Sequence, residues 1–235
     1  MSQRLNTDWT PNPIACALAI CVLLGGTNDL FAQASPRPQP PASAPSRGIE
    51  LGGYAMLGLI NFTAADSFDV TVGSPLGSIF GGGVRVGLPI GGLFVNVGAW
   101  RYRSSGARAF IFEGEEFLLG IPLTVTITPL EVGGGWQFRF RRAPQFRPYV
   151  AGGLTSYGYQ EVSDFATDAE NVEERFGGYH LAGGAEFRVE QWIGVAWEVN
   201  WTSVPDAIGK GGVSAVFDET NLGGTSLRFK ITIGR

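Results

Sequence analysis

In Leu227-Arg228-Phe229-Lys230-Ile231-Thr232-Ile233 every second side chain is apolar, and the residues between them are polar or charged. A β-strand turns successive side chains to opposite faces, so this spacing sorts the two classes onto opposite sides of a sheet. The same alternation recurs upstream. Ile193, Val195, Trp197, Val199 and Trp201 oppose Glu198 and Asn200; Leu181, Phe187 and Val189 oppose His180, Glu186 and Arg188. Val84, Val86 and Leu88 oppose Arg85, and Leu51, Leu57 and Leu59 oppose Glu50 and Tyr54. From Ile49 onward no window carries the i, i+3, i+4, i+7 stripe of an amphipathic helix. The pattern therefore describes an all-β chain.

The alternation predicts strands over residues 49–60, 79–88, 93–110, 119–140, 147–160, 175–189, 192–203 and 221–234. Between them, short connections (89–92, 141–146, 190–191) take turns with long ones (61–78, 161–174, 204–220), and 111–118 is intermediate. Tight turns at one end and long loops at the other describe an up-and-down antiparallel meander, the arrangement of a transmembrane β-barrel. Pro129 interrupts the fourth strand. The apolar phase changes there, from Leu123, Val125 and Ile127 to Leu130, Val132, Trp136 and Phe138, and a bulge at Pro129 would account for it. Glycine runs such as Gly81 to Gly83 and Gly133 to Gly135 suit the sharp curvature of a small barrel. They lack the strand–helix setting of a dinucleotide-binding loop.

A soluble barrel buries its apolar face inside, whereas a membrane barrel turns it to lipid and fills the lumen with polar groups. The polar faces hold Glu50, Glu131, Glu186 and Glu198 against Arg85, Arg139, Arg188, Arg228 and Lys230. Charges out of water must be paired or solvated, so this near-balanced set is expected to form a paired lumen network; the alternative is the solvated outer face of a soluble sheet. Aromatic residues near the strand ends are expected to form girdles at the two interfaces: Trp136 and Phe138 near one end, Trp100, Tyr102 and Tyr157 near the other, with Trp201 closing the seventh strand. Trp192 opens that strand, but its parity points inward.

The N-terminus points to export. Residues 14–24 form an apolar run too short for a transmembrane helix but suited to the core of a signal peptide, and Ala32-Gln33-Ala34 supplies a cleavage signal. Residues 1–34 read as a signal peptide, 35–47 as a proline-rich periplasmic linker and 48–235 as the barrel. Cys16 and Cys21 both fall in the leader, and the chain has one histidine, so neither a disulfide framework nor a metal site is expected. Leu18-Ala19-Ile20-Cys21 leaves lipidation as a competing export route, although Ile20 stands where a small residue belongs. Charged residues make up 16% and net charge is −4, which excludes a nucleic-acid partner.

The leader, the strand count, the alternating loop lengths and the patterned final strand together resemble the small outer-membrane β-barrel superfamily of OmpA, OmpX and OmpW. The resemblance covers about residues 48–235 and implies an eight-stranded antiparallel barrel in a bacterial outer membrane. It implies outer-membrane lipid, lipopolysaccharide and the barrel-assembly machinery as partners, a monomeric state and no cofactor. The chain ends Ile231-Thr232-Ile233-Gly234-Arg235, without the terminal aromatic residue of that superfamily. Some barrels of this size are lipid A deacylases with His-x-Ser on one strand; here His180-Leu181-Ala182 has alanine in place of the nucleophile. A non-enzymatic structural or surface-interaction role is the leading expectation. A narrow channel or lateral conduit for small or hydrophobic solutes, as in OmpW-like barrels, is the alternative.

Overall fold

A computed structural model describes residues 48–112, 115–163, 172–210 and 212–234. The expected signal peptide, its Ala32 and Ala34 cleavage signal and the linker lie outside the described residues. Eight strands follow one another: β1 (Glu50–Phe62), β2 (Leu76–Gly87), β3 (Leu93–Phe112), β4 (Glu115–Gln137), β5 (Phe146–Val162), β6 (Val172–Arg188), β7 (Ile193–Ser203) and β8 (Gly224–Gly234). Each pairs antiparallel with the next, and β8 returns to β1 from Gly52↔Gly234 to Phe62↔Gly224, closing the barrel. Closure leaves no free edge along the shared wall, which is what a β-structure in lipid requires.

Alternation holds around the ring. Leu57, Phe80, Leu154, Leu181, Leu227 and Ile231 are all exposed on the outer face, Leu154 by 72%. An apolar surface that encircles a barrel is far larger than the patches a water-soluble monomer tolerates, and it is matched to acyl chains.

The bulge expected at Pro129 is absent. Pro129 pairs with Tyr157, and the β4–β5 register runs unbroken from Thr124↔Val162 to Gln137↔Tyr149. The missing proline donor falls on the β3 side, where the ladder passes from Ala99↔Leu130 to Tyr102↔Ile127. The register shift lies instead between Ala107 and Ala109. Side-chain parity therefore does not change at Pro129. What changes is the lumen. Leu123, Val125 and Ile127 face inward and are buried, as is Glu131 below them.

The lumen thus has two halves, which corrects the expectation that polar residues fill it throughout. Toward the long loops the filling is apolar: Met56, Ile60, Phe62, Ile79, Trp100, Tyr102, Leu123, Val125, Ile127, Tyr157, Val204 and Leu222 form one buried cluster. Glycines make room for its rings. A Cβ at Gly81 would stand 2.2 Å from Ala99 O and 2.7 Å from Trp100 Cβ, so only glycine lets β2 and β3 approach beside that indole.

Two loops cover this apolar half. In the β1–β2 loop, helix α1 (Ala65–Val72) presents Phe68, which stacks on Phe62 at 4.1 Å between centroids; Tyr102 meets Phe62 edge-on at 5.0 Å. The helix has no capping side chain of its own at Ala64. Glu219, from the β7–β8 loop that also carries α2 (Gly212–Val216), takes that role. Its carboxylate accepts from Asp66 N (3.1 Å) and Ser67 N (2.9 Å) and bonds to the Ser67 hydroxyl. A carboxylate on the exposed amides of a helix N-terminus satisfies orphan donors and complements the helix dipole. Here it also clasps two loops together across the mouth.

Three substitutions test this packing. Gly81→Ala should destabilise the folded barrel by roughly 1–3 kcal/mol. Gly183→Ala, where a Cβ meets nothing within 4 Å, should be neutral or slightly stabilising, as read by urea titration of the gel shift between folded and boiled barrel. Glu219→Gln should weaken the clasp by about 1 kcal/mol and raise protease cleavage in the α1 loop without altering the barrel's gel shift.

Candidate functional site: a braced, charged lumen

The half of the lumen nearer the short turns holds the charges. Alternation aims one side chain in two inward, and β8 alone delivers Ser226, Arg228, Lys230 and Thr232, all buried. Arg228 spans the interior to Glu131 of β4, with two parallel bonds: Nη1 donates to Oε2 at 2.8 Å and Nη2 to Oε1 at 2.7 Å. In a ring of eight, β4 and β8 stand diametrically opposite. The Trp100 indole N–H donates to the same Glu131 at 2.8 Å, and Arg228 Nε donates to Ser226 Oγ at 2.9 Å. Glu198 of β7 lies 3.6 Å from Arg228 and accepts from Lys230 Nζ at 2.6 Å and from the Tyr149 hydroxyl at 2.8 Å.

A second brace lies closer to the short turns. Arg85 of β2 donates to Glu186 of β6 at 3.0 Å, again joining opposite strands. Arg188 Nε lies 2.7 Å from the other Glu186 oxygen, Gln137 donates to this carboxylate at 3.1 Å and Thr232 at 3.2 Å. The Arg85 guanidinium rests over the Phe94 and Tyr149 rings, 4.6 and 4.9 Å from their centroids, and the Lys230 ammonium over Tyr54 at 4.7 Å. Cation–ring contacts of this kind are strongest where water is excluded. At the short-turn mouth, Arg139 pairs with Glu50 at 2.6 Å, but both are part-exposed.

Of the residues expected to form a lumen network, Glu131, Arg228, Glu198 and Lys230 thus come together in one cluster. Arg85, Glu186 and Arg188 form a second, and Glu50 and Arg139 form a pair on the rim. Sequence reading missed Tyr149, Gln137 and Trp100 as network members. The signal was available: each shares parity with an inward neutral or charged residue of its own strand. His180 and Ala182 both face a small central cavity of about 10 Å³, bounded also by Glu131, Glu198 and Lys230. That is roughly the room one water needs. A second cavity of about 50 Å³ opens between the Arg85–Glu186 brace and the rim pair. No group of acidic, histidine or cysteine side chains among the described residues is arranged to hold a metal ion.

The aromatic expectations divide. Trp136, Phe138 and Trp201 are exposed on the outer face, and Trp201 meets Tyr179 edge-on at 5.7 Å. Trp100, Tyr102 and Tyr157 are not girdle residues. All three point into the lumen and are at most 2% exposed, because they share parity with inward Phe94 on β3 and inward Tyr149 on β5 rather than with Val95, Val97 or Val150. Their position along the strand suggested a girdle; their parity excludes it. Trp192 is exposed, since it sits in the turn before β7 where strand parity does not apply.

This closed ring is similar to a major outer membrane protein from Thermus thermophilus, with a TM-score of 0.53, 11% identity, and coverage of 80% of this chain and 99% of that one. The chain has the fold of the small outer-membrane β-barrels. Other solved barrels are similar at lower scores. Neisserial surface protein A gives 0.48 at 10% identity over 79% of this chain and 96% of that chain. The N-terminal barrel domain of Pseudomonas aeruginosa OprF gives 0.44 at 9% identity over 79% and 97%. No protein-family model matches the chain, and no curated protein matches its sequence. The outer-membrane barrel fold accounts for the outward apolar band and the inward charges together.

Breaking the main brace from one side leaves a buried charge unpaired. Arg228→Met should therefore destabilise the barrel by about 3–5 kcal/mol, and combining it with Glu131→Gln should recover a large part of the loss. Arg139→Ala on the rim should cost only about 0–1 kcal/mol. Denaturant titration of the four proteins measures all of these differences.

Proposed function

We propose that this chain is a non-enzymatic barrel of the bacterial outer membrane, with a structural or surface-interaction role carried by its long loops rather than by its lumen. The observation that supports this reading most is the pair of braces, Glu131–Arg228 and Arg85–Glu186, that cross the interior between opposite strands. A side-chain-filled lumen is what an eight-stranded barrel has room for. The apolar cluster beneath α1 stacks a second plug on top of the charged one. Outward-facing residues meet outer-membrane lipid and, on the loop side, lipopolysaccharide. The barrel-assembly machinery inserts the chain, which then works as a monomer and needs no cofactor.

Catalysis finds no support in the lumen. Acyl transfer needs a nucleophile within reach of its base, and the residue two positions from inward-facing His180 is Ala182. A narrow conduit is the second reading, favoured only by the 50 Å³ cavity at the short-turn mouth. Such a conduit must part at least one brace and the apolar plug.

The purified barrel in planar bilayers should show no steady unitary current at 100 mV in 1 M salt. Reproducible single-channel steps would overturn the structural reading in favour of the conduit. A mass shift in lipid A on expression would overturn it in favour of an enzyme.

A further inference from the structure

Outside the lumen, unpaired positive charge gathers in the turn between β4 and β5. Ala143 N donates to Phe140 O at 3.3 Å, closing a four-residue turn whose two corners are Arg141 and Arg142. Both side chains are exposed, and neither forms an ion pair with any described residue. Phe138 and Phe140, which precede them, expose 44% and 50% of their surface. The neighbouring short turns differ: 88–92 carries no charge and 189–192 carries Glu190.

Rings on the outer face beside a turn at the barrel's end occupy the boundary between acyl chains and headgroups. An arginine one or two residues further reaches the headgroup layer, its stem against lipid and its fork among the phosphates. The guanidinium fork matches two phosphate oxygens at once. Glu50, an acidic residue of the same rim, is paired with Arg139. The whole chain is net negative at −4, so a general attraction to anionic surfaces is excluded and any such preference must be local.

We infer that the Phe138–Arg142 turn is a binding site for the headgroup of an anionic glycerophospholipid in the leaflet around the short-turn end. The inference goes beyond the proposed structural role and rests only on the barrel standing in a membrane. It assigns this turn a lipid of defined charge and distinguishes it from the other short turns.

The test is native mass spectrometry of the detergent-purified full-length protein with equal amounts of phosphatidylglycerol and phosphatidylcholine of the same acyl chains. Phosphatidylglycerol adducts should exceed phosphatidylcholine adducts by roughly tenfold, the order expected of basic residues beside an anionic lipid surface. The preference should fall to near parity in R141Q/R142Q and persist in R103Q/K210Q, which removes the same charge from exposed positions beyond the short-turn end. Each variant is first shown to be folded by its gel shift on boiling. Equal adducts of the two lipids in the unaltered protein, an undiminished preference in R141Q/R142Q, or an equal loss in R103Q/K210Q would each overturn the assignment. Absence of bilayer currents bears on the lumen and leaves this result independent.

Discussion

Arg228 and Glu131 meet only because the ring is closed. They stand on strands that are four apart in an eight-membered circle, separated by 97 residues of chain, and nothing local holds them near each other. Arg85 and Glu186, 101 residues apart, repeat the geometry one level nearer the short turns. A charge enclosed by a lipid-embedded wall costs several kcal/mol if left alone. Each brace is satisfied only in the complete barrel, so ion pairing and closure form one cooperative event. The pairs are weak evidence for net stability over an apolar filling. Their stronger consequence is specificity, because a ring with a strand missing or out of register leaves a buried carboxylate opposite nothing.

Lipid outside changes what the inside must do. In water, burying the outer leucines and valines would drive folding; in acyl chains they gain little by touching one another. Cohesion between the walls falls to what the lumen supplies, and this lumen supplies it in two chemistries. The charged half uses ion pairs, with Tyr149 and Trp100 donating to the carboxylates. The other half uses stacked and edge-on rings, Phe68 on Phe62 and Tyr102 against Phe62, with the Tyr102 ring lying where Gly77 of the neighbouring β2 has no side chain. The loops complete the apolar half, and Glu219 holds them to each other by capping a helix from across the mouth.

Much of this was legible in the chain. The strand count, the alternating loop lengths and the residues that face inward follow from a period of two, which tertiary structure cannot override without flipping every side chain. Arg228, Glu198, Glu186 and Arg85 were readable as lumen residues for that reason. Trp100, Tyr102 and Tyr157 stand near strand ends as girdle residues do, but their parity, equally written in the sequence, turns them into the lumen. At Pro129 a change of apolar phase has the look of a bulge in the sequence, whereas the register holds and the lumen itself turns from charged to apolar. Periodicity reports which face a residue takes; it does not report what surrounds that face.

The amino-acid sequence by itself determined that the chain forms eight antiparallel strands with one greasy and one mixed face, because alternation and turn spacing are local properties. Which carboxylate meets which guanidinium was decided only by the closed ring, since ring size and register set the distance across the lumen. The same holds for the clasp on α1: a glutamate in one loop and a bare helix end in another carry no mark of each other until the barrel brings both loops to the same mouth.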